Sequence, residues 1–301
     1  MYNGLLLIDK PAGFTSHDVC AKLRGMLRMR RIGHAGTLDP MATGLLVVLL
    51  GAATKAGDWV SGHDKEYIAA LRLGIETDTQ DVSGTVLCKR AVDLDEDAVK
   101  AAILSFLGRR RQLPPMYSAV KQDGQPLYKA ARKGKTIDRA TRAVDFKQIE
   151  YLGKTGGDYR FRVLCSKGTY IRTLCHDIGQ KLGAGGCMAS LCRTRAGDFS
   201  LEQALTLERV QQLCQSGGLA GALLGVDTLF SHLPAVTVAG QGLVRARNGA
   251  ALSQEHLSDG ELPQPGGLCR VYAPDGAFLM LGEVRETGDG RMLWCKKMFA
   301  G

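Results

Sequence analysis

Arg30–Leu50 reads RRIGHAGTLDPMATGLLVVLL. Its second half, Leu45–Leu50, is an unbroken apolar run of strand length, the pattern of a strand buried on both faces. Its first half, Gly33–Pro40, combines glycines and a proline with His34, Thr37 and Asp39, and is expected as a loop. An isolated Asp-Pro pair signals only a turn. Polar groups presented directly before a buried strand are different, because the strand holds the loop rigid enough for a site.

Around this stretch the chain alternates between strand and helix patterns. Gly4–Ile8 reads as a strand. Ser16 is placed as the N-cap of a helix with Val19, Leu23, Met26 and Leu27 at helical spacing, and Arg28, Arg30 and Arg31 follow its end. In Glu66–Gly74, Tyr67, Ala69, Leu71 and Leu73 share one face of a strand. Asp93 and Glu96 are read as a capping pair for a helix with Val99, Ile103 and Leu107 on one side, ended by Arg109–Arg111. Gln125–Gly134 reads as a short helix. Val144–Leu152 and Tyr159–Cys165 read as paired strands, and Tyr170–Leu182 and Thr206–Cys214 as helices. Near residue 230 the texture turns to short strands punctuated by Pro and Gly, a small β-rich unit of 230–301 behind a larger one of 1–229.

The 301 residues are 45% hydrophobic and 23% charged. That mixture excludes a coiled coil, a collagen-like chain and a largely disordered chain. The net charge of +9 points to an anionic partner. The charge is local: residues 100–147 carry 12 Lys and Arg against 3 acids, Asp123, Asp138 and Asp145. Such a segment repels itself and is expected to order on an anionic ligand.

Nine cysteines without a C-x-x-C pair, and six histidines without zinc-finger spacing, leave no metal site by pattern. The thiols are expected reduced. The apolar run Leu5–Ile8 stops at Asp9, and no stretch approaches the ~18 residues of a membrane helix. A soluble cytoplasmic protein is expected, with no membrane partner. Gly134-Lys135-Thr136 lacks the earlier glycine of a P-loop, because Lys129 stands there. No cofactor is expected.

Several blocks together resemble the TruB family of tRNA pseudouridine synthases. Arg30–Leu50 is similar to its catalytic motif and Leu6–Ser16 (LLIDKPAGFTS) to its K-P-x-G-x-T-S block. Asp64–Asp81 carries K-x-Y and R-L-G-x-x-T-D-T-x-D. Pro114–Lys121 (PPMYSAVK), Ser166–Gly179 (SKGTYIRTLCHDIG) and Leu191–Phe199 (LCRTRAGDF) follow in the family's order. Cys192 departs from it, standing where the family usually has arginine.

The resemblance implies an α+β pseudouridine-synthase fold. Its central sheet is mixed, mostly antiparallel and flanked by helices, and a small C-terminal PUA-like domain follows. It implies isomerisation of a T-loop uridine of tRNA, position 55 in the family, by a monomer. Asp39 is the implied catalytic group, Arg172 its partner, and Tyr170 a helper near the base. His34, Tyr67, Leu191 and Lys10 are implied around the flipped nucleotide. The basic stretch, about 115–143 with Arg109–Arg111 before it, is implied to clamp the T-arm. Arg109, Arg110, Arg111, Lys129, Arg132, Lys133, Lys135, Arg139 and Arg142 are its backbone-contact candidates. Two other readings share this scaffold: a non-catalytic RNA-binding or tRNA-folding protein, and a guide-RNA-dependent relative acting on other RNAs.

Overall fold

The buried run predicted at Leu45–Leu50 is an interior strand. The structure, a computed structural model, describes residues 2–122, 124–288 and 290–300; Asp123 and the Lys121 side chain lie outside them. The first elements are β1 (Gly4–Lys10), α1 (Ser16–Leu27), β2 (Ile32–Ala35), β3 (Thr43–Leu50), α2 (Gly57–Gly62) and β4 (Lys65–Leu73). Next come β5 (Ile75–Thr77), β6 (Val86–Lys89), α3 (Glu96–Leu104), β7 (Gly108–Gln112), β8 (Lys121–Gln122), β9 (Gln125–Pro126) and α4 (Leu127–Ala131). Then β10 (Arg142–Thr155), β11 (Asp158–Cys165), α5 (Ile171–Lys181), β12 (Gly186–Ala196), β13 (Phe199–Ser200) and α6 (Leu207–Ser216) follow. The chain closes with β14 (Ala235–Val238), α7 (Gln241–Arg247), β15 (Leu257–Asp259), β16 (Leu268–Tyr272), β17 (Phe278–Thr287) and β18 (Gly290–Met298).

A nine-stranded sheet runs β1-β3-β12-β4-β11-β10-β7, with β2 also on β3 and β13 on β12. Only the β3–β12 contact in it is parallel. Alternate residues of β3 enter different cores. Leu45, Val47 and Leu49 pack with Phe199 and Phe230, while Leu46, Val48 and Leu50 pack with α1 and α6. Two apolar faces on one strand explain its unbroken hydrophobicity. On β4, Tyr67, Ala69, Leu71 and Leu73 face a third core beneath α3 and α5, as their alternation predicts.

A second sheet, β15-β14-β16-β17-β18, is built entirely from residues beyond 234. It is joined to the first by apolar contact: Leu281, Phe278 and Phe299 pack with Trp59, Phe230 and Leu5.

Several local expectations are corrected. The N-cap of α1 is Thr15, not Ser16. Thr15 Oγ1 accepts the Asp18 N–H at 3.0 Å and Asp18 Oδ2 accepts the Thr15 N–H at 2.9 Å, a reciprocal box available only from Thr15. The N-cap of α3 is Asp95 rather than Asp93, and Leu107 lies beyond the helix, exposed. Arg109–Arg111 do not end that helix. Gly108 at φ +92° turns the chain into β7, where these arginines pair with the edge of β10. His34 is on strand β2 opposite Val48, not in a loop. The helix read at 125–134 spans only Leu127–Ala131.

Candidate active site

Asp39 sits on the turn between β2 and β3, and the backbone around it is tied at several points. Leu38 N–H donates to Ser16 Oγ at 2.8 Å, and Gly13 N–H donates to Pro40 O at 2.8 Å. Lys10 Nζ donates to the carbonyls of Pro11 (2.9 Å), Phe14 (2.6 Å) and Pro40 (3.3 Å). The K-P-x-G-x-T-S block thus works as a bracket under the Asp-Pro turn. Lys10 is wholly buried, and burial lowers its pKa to about 8, with Asp39 pulling the other way.

Where the turn rejoins β3, Gly44 (φ +94°) lies against the backbone of Arg193. A Cβ there would meet Arg193 O at 2.4 Å, so glycine is required for β3 and β12 to pair at this point.

Arg172 reaches Asp39 from the first turn of α5. Its Nε lies 2.9 Å from Asp39 Oδ2, and Nη2 donates to Oδ1 at 3.1 Å. Nη1 donates to Thr79 O at 3.0 Å and Nη2 also to Tyr117 O at 2.8 Å. Asp81 Oδ2 lies 3.9 Å from the same Nε. Arg172 is therefore buried, with both terminal nitrogens hydrogen-bonded and its Nε against the Asp39 carboxylate, and is not a solvated helix charge. Burial holds the Asp39 carboxyl above its ordinary range; Arg172 draws it down and Asp81 pushes it up.

Tyr170 is the N-cap of α5, and burial raises its phenol pKa. Tyr67 and Leu191 lie on adjacent strands of the same core as Leu38 and Ala42, beside the Asp39 turn. Burial likewise raises the Tyr67 phenol pKa. His34 is half-buried, its Nδ1 lacks a partner among the described residues, and burial lowers its pKa. Asp39, Arg172, Tyr67, Leu191, Tyr170 and Lys10 are thus gathered around one turn.

The basic candidates lie elsewhere. Arg109–Arg111 are on edge strand β7, and Arg142 on β10 stands opposite Gln112 of β7. Arg110 donates to Ser105 O, and Arg111 Nε to Thr141 Oγ1 at 2.7 Å. Lys129 is on α4; Arg132, Lys133, Lys135 and Arg139 follow it on an irregular, largely exposed stretch, Arg139 being half-buried.

Arg193 was not singled out from the sequence. It is 1% exposed, and it donates to Leu45 O (2.7 Å) and Gly36 O (3.1 Å), on both sides of Asp39. Its guanidinium also lies against the Tyr67 hydroxyl. The signal was available: on a strand, Arg193 must share a face with Leu191. The same alternation puts Cys192 on the opposite face.

A family model described as TruB family pseudouridylate synthase (N terminal domain) matches residues 24–171, and one described as tRNA pseudouridylate synthase B C-terminal domain matches residues 172–231. A protein named tRNA pseudouridine synthase B from Alkaliphilus oremlandii is 44% identical over 94% of this chain and 94% of its own. One of the same name from Cupriavidus metallidurans is 41% identical over 94% of this chain and 91% of its own. Among solved structures, an H/ACA RNP bound to a substrate RNA containing 2'-deoxyuridine superposes with a TM-score of 0.72 at 26% identity, covering 99% of this chain and 85% of the other.

Proposed function

The chain belongs to the TruB family of pseudouridylate synthases, and from that premise we propose that it isomerises a T-loop uridine of tRNA, position 55, to pseudouridine. The N1–C1′ bond breaks and a C5–C1′ bond forms on the same base. C5 loses a proton and N1 gains one, so nothing is oxidised, reduced or hydrolysed.

The observation that carries this reading is the Asp39–Arg172 pair on the Asp-Pro turn. Attack at C1′ and abstraction of the C2′ proton both begin from an ionised carboxylate, and the guanidinium favours that form. Tyr67 and Leu191 supply an aromatic and an apolar wall for a planar base. Tyr170, near C5 on the other side of the base, assists the final proton removal through its hydroxyl. Flipping a stacked uridine costs a few kcal/mol. His34 holds the opened loop, and Arg109–Arg111, Lys129, Arg132, Lys133, Lys135, Arg139 and Arg142 offset the cost through phosphates of the T-arm. Residues 1–229 form the catalytic domain and 230–301 a PUA-like RNA-binding domain. That division is supported by the separate sheet β14–β18 and by exposed Trp294 with Arg285 over its ring at 5.9 Å. The protein works as a cytoplasmic monomer.

The test is Asp39→Asn with an unmodified tRNA transcript and no guide RNA. Wild type is expected to form pseudouridine, which a guide-dependent enzyme would not do. The variant should form none while keeping its tRNA affinity. Normal product yield from the variant would overturn the assignment of Asp39. No product from wild type would favour the non-catalytic RNA-binding reading.

A further inference from the structure

We propose that Gln112 is a positioning residue that sets the place of Tyr170, and that it links the arginine-bearing edge strand to the reaction pocket. This inference rests on the reading of Tyr170 as a pocket residue. Gln112 ends β7, directly after Arg109–Arg111, and is 4% exposed. Its side-chain amide is not spent on its own strand. Oε1 accepts the Tyr170 N–H at 2.8 Å, and Nε2 donates to the Tyr170 carbonyl at 2.9 Å. The amide thus pairs with one residue's backbone donor and acceptor at once, as a neighbouring strand would.

Tyr170 needs such a partner. As N-cap of α5 it has no side-chain cap, and its N–H is outside the helical ladder. Its carbonyl already accepts the first helical bond, from Leu174 N–H at 3.1 Å. Gln112 fills the remaining needs of both groups. It thereby fixes the backbone from which the Tyr170 ring projects, two residues before Arg172. Across the ladder from Gln112 stands Arg142, an exposed phosphate candidate whose charge also acts on the Tyr170 phenol. One buried amide therefore stands between RNA-facing arginines and a pocket tyrosine.

A paired amide has a sharp chemical signature. Glutamate has the same shape and keeps an acceptor for the Tyr170 N–H, but its second oxygen faces the carbonyl without a proton to donate. Gln112→Glu therefore separates pairing from space-filling, and Gln112→Ala removes both. The experiment measures single-turnover pseudouridine formation and tRNA affinity separately, with thermal midpoints as a control. Both variants are expected to lose about 10–100-fold in rate, the scale of a misplaced reacting group, with tRNA affinity within about twofold of wild type. Wild-type rates in both variants overturn the proposal. So does a rate loss in Gln112→Ala alone, which is space-filling, or a loss of rate and affinity together with a collapsed midpoint, which is a structural role. A wild-type protein that makes no pseudouridine refutes the functional reading instead, so the two failures are distinct.

Discussion

Arg172 Nε lies 2.9 Å from Asp39 Oδ2 across 133 residues of sequence, and the guanidinium that makes this contact is 4% exposed. The pair places the carboxylate under opposed influences. Burial favours the neutral acid and Arg172 favours the anion.

Removing the arginine should tip that balance. In Arg172→Met the charge and the fork to Asp39 are both lost, and the carbonyls of Thr79 and Tyr117 lose a donor. The carboxyl must be ionised to act, and Arg172 lowers its pKa. The acid limb of the single-turnover pH profile should therefore move to higher pH, with the plateau rate down about 10²-fold. An unmoved acid limb would show that the arginine does not tune Asp39.

Lys10 predicts the other limb. Below its pKa of about 8 the ammonium has three donors for three carbonyls; the neutral amine has two. The turn should loosen and the rate fall as pH rises past 8. Stability moves oppositely. A lysine whose folded pKa is depressed from 10.5 binds fewer protons folded than unfolded, so its contribution rises between about pH 8 and 10.5. A thermal midpoint that does not fall while the rate declines would separate this effect from unfolding. Lys10→Arg, which does not titrate there, should lack the limb.

Arg193 predicts a stability cost. Arg193→Met leaves the carbonyls of Leu45 and Gly36 buried without their donors, at about 1–3 kcal/mol each. Urea unfolding should show a loss of about 2–6 kcal/mol. A change below about 0.5 kcal/mol would mean that the turn finds other partners.

The exposed arginines predict a salt effect rather than a chemical one. Arg109→Ala and Arg142→Ala should each weaken tRNA binding and reduce the slope of log affinity against log salt by about 1. Amides of 129–142 should gain hydrogen-exchange protection with tRNA. Equal protection with and without tRNA would remove that stretch from the clamp.

Much of this protein is determined within short windows of its sequence. The alternation in β4, the doubly buried β3 and the change of texture near residue 230 are local periodicities, so they can be read one segment at a time. The ordered motif blocks are local too, and they carry the family. The local reading failed where a competing partner decided. Arg109–Arg111 look like a helix terminus until β10 offers them an edge to pair with, and Ser16 looks like a cap until Thr15 finds Asp18. The site itself belongs to the tertiary structure. Asp39 meets Arg172 across 133 residues, Gln112 meets Tyr170 across 58, and Arg193 reaches Leu45 across 148. A hydrogen bond depends on distances of about 3 Å, and only the sheet order that sets β3, β12 and β4 side by side brings such distant residues that close.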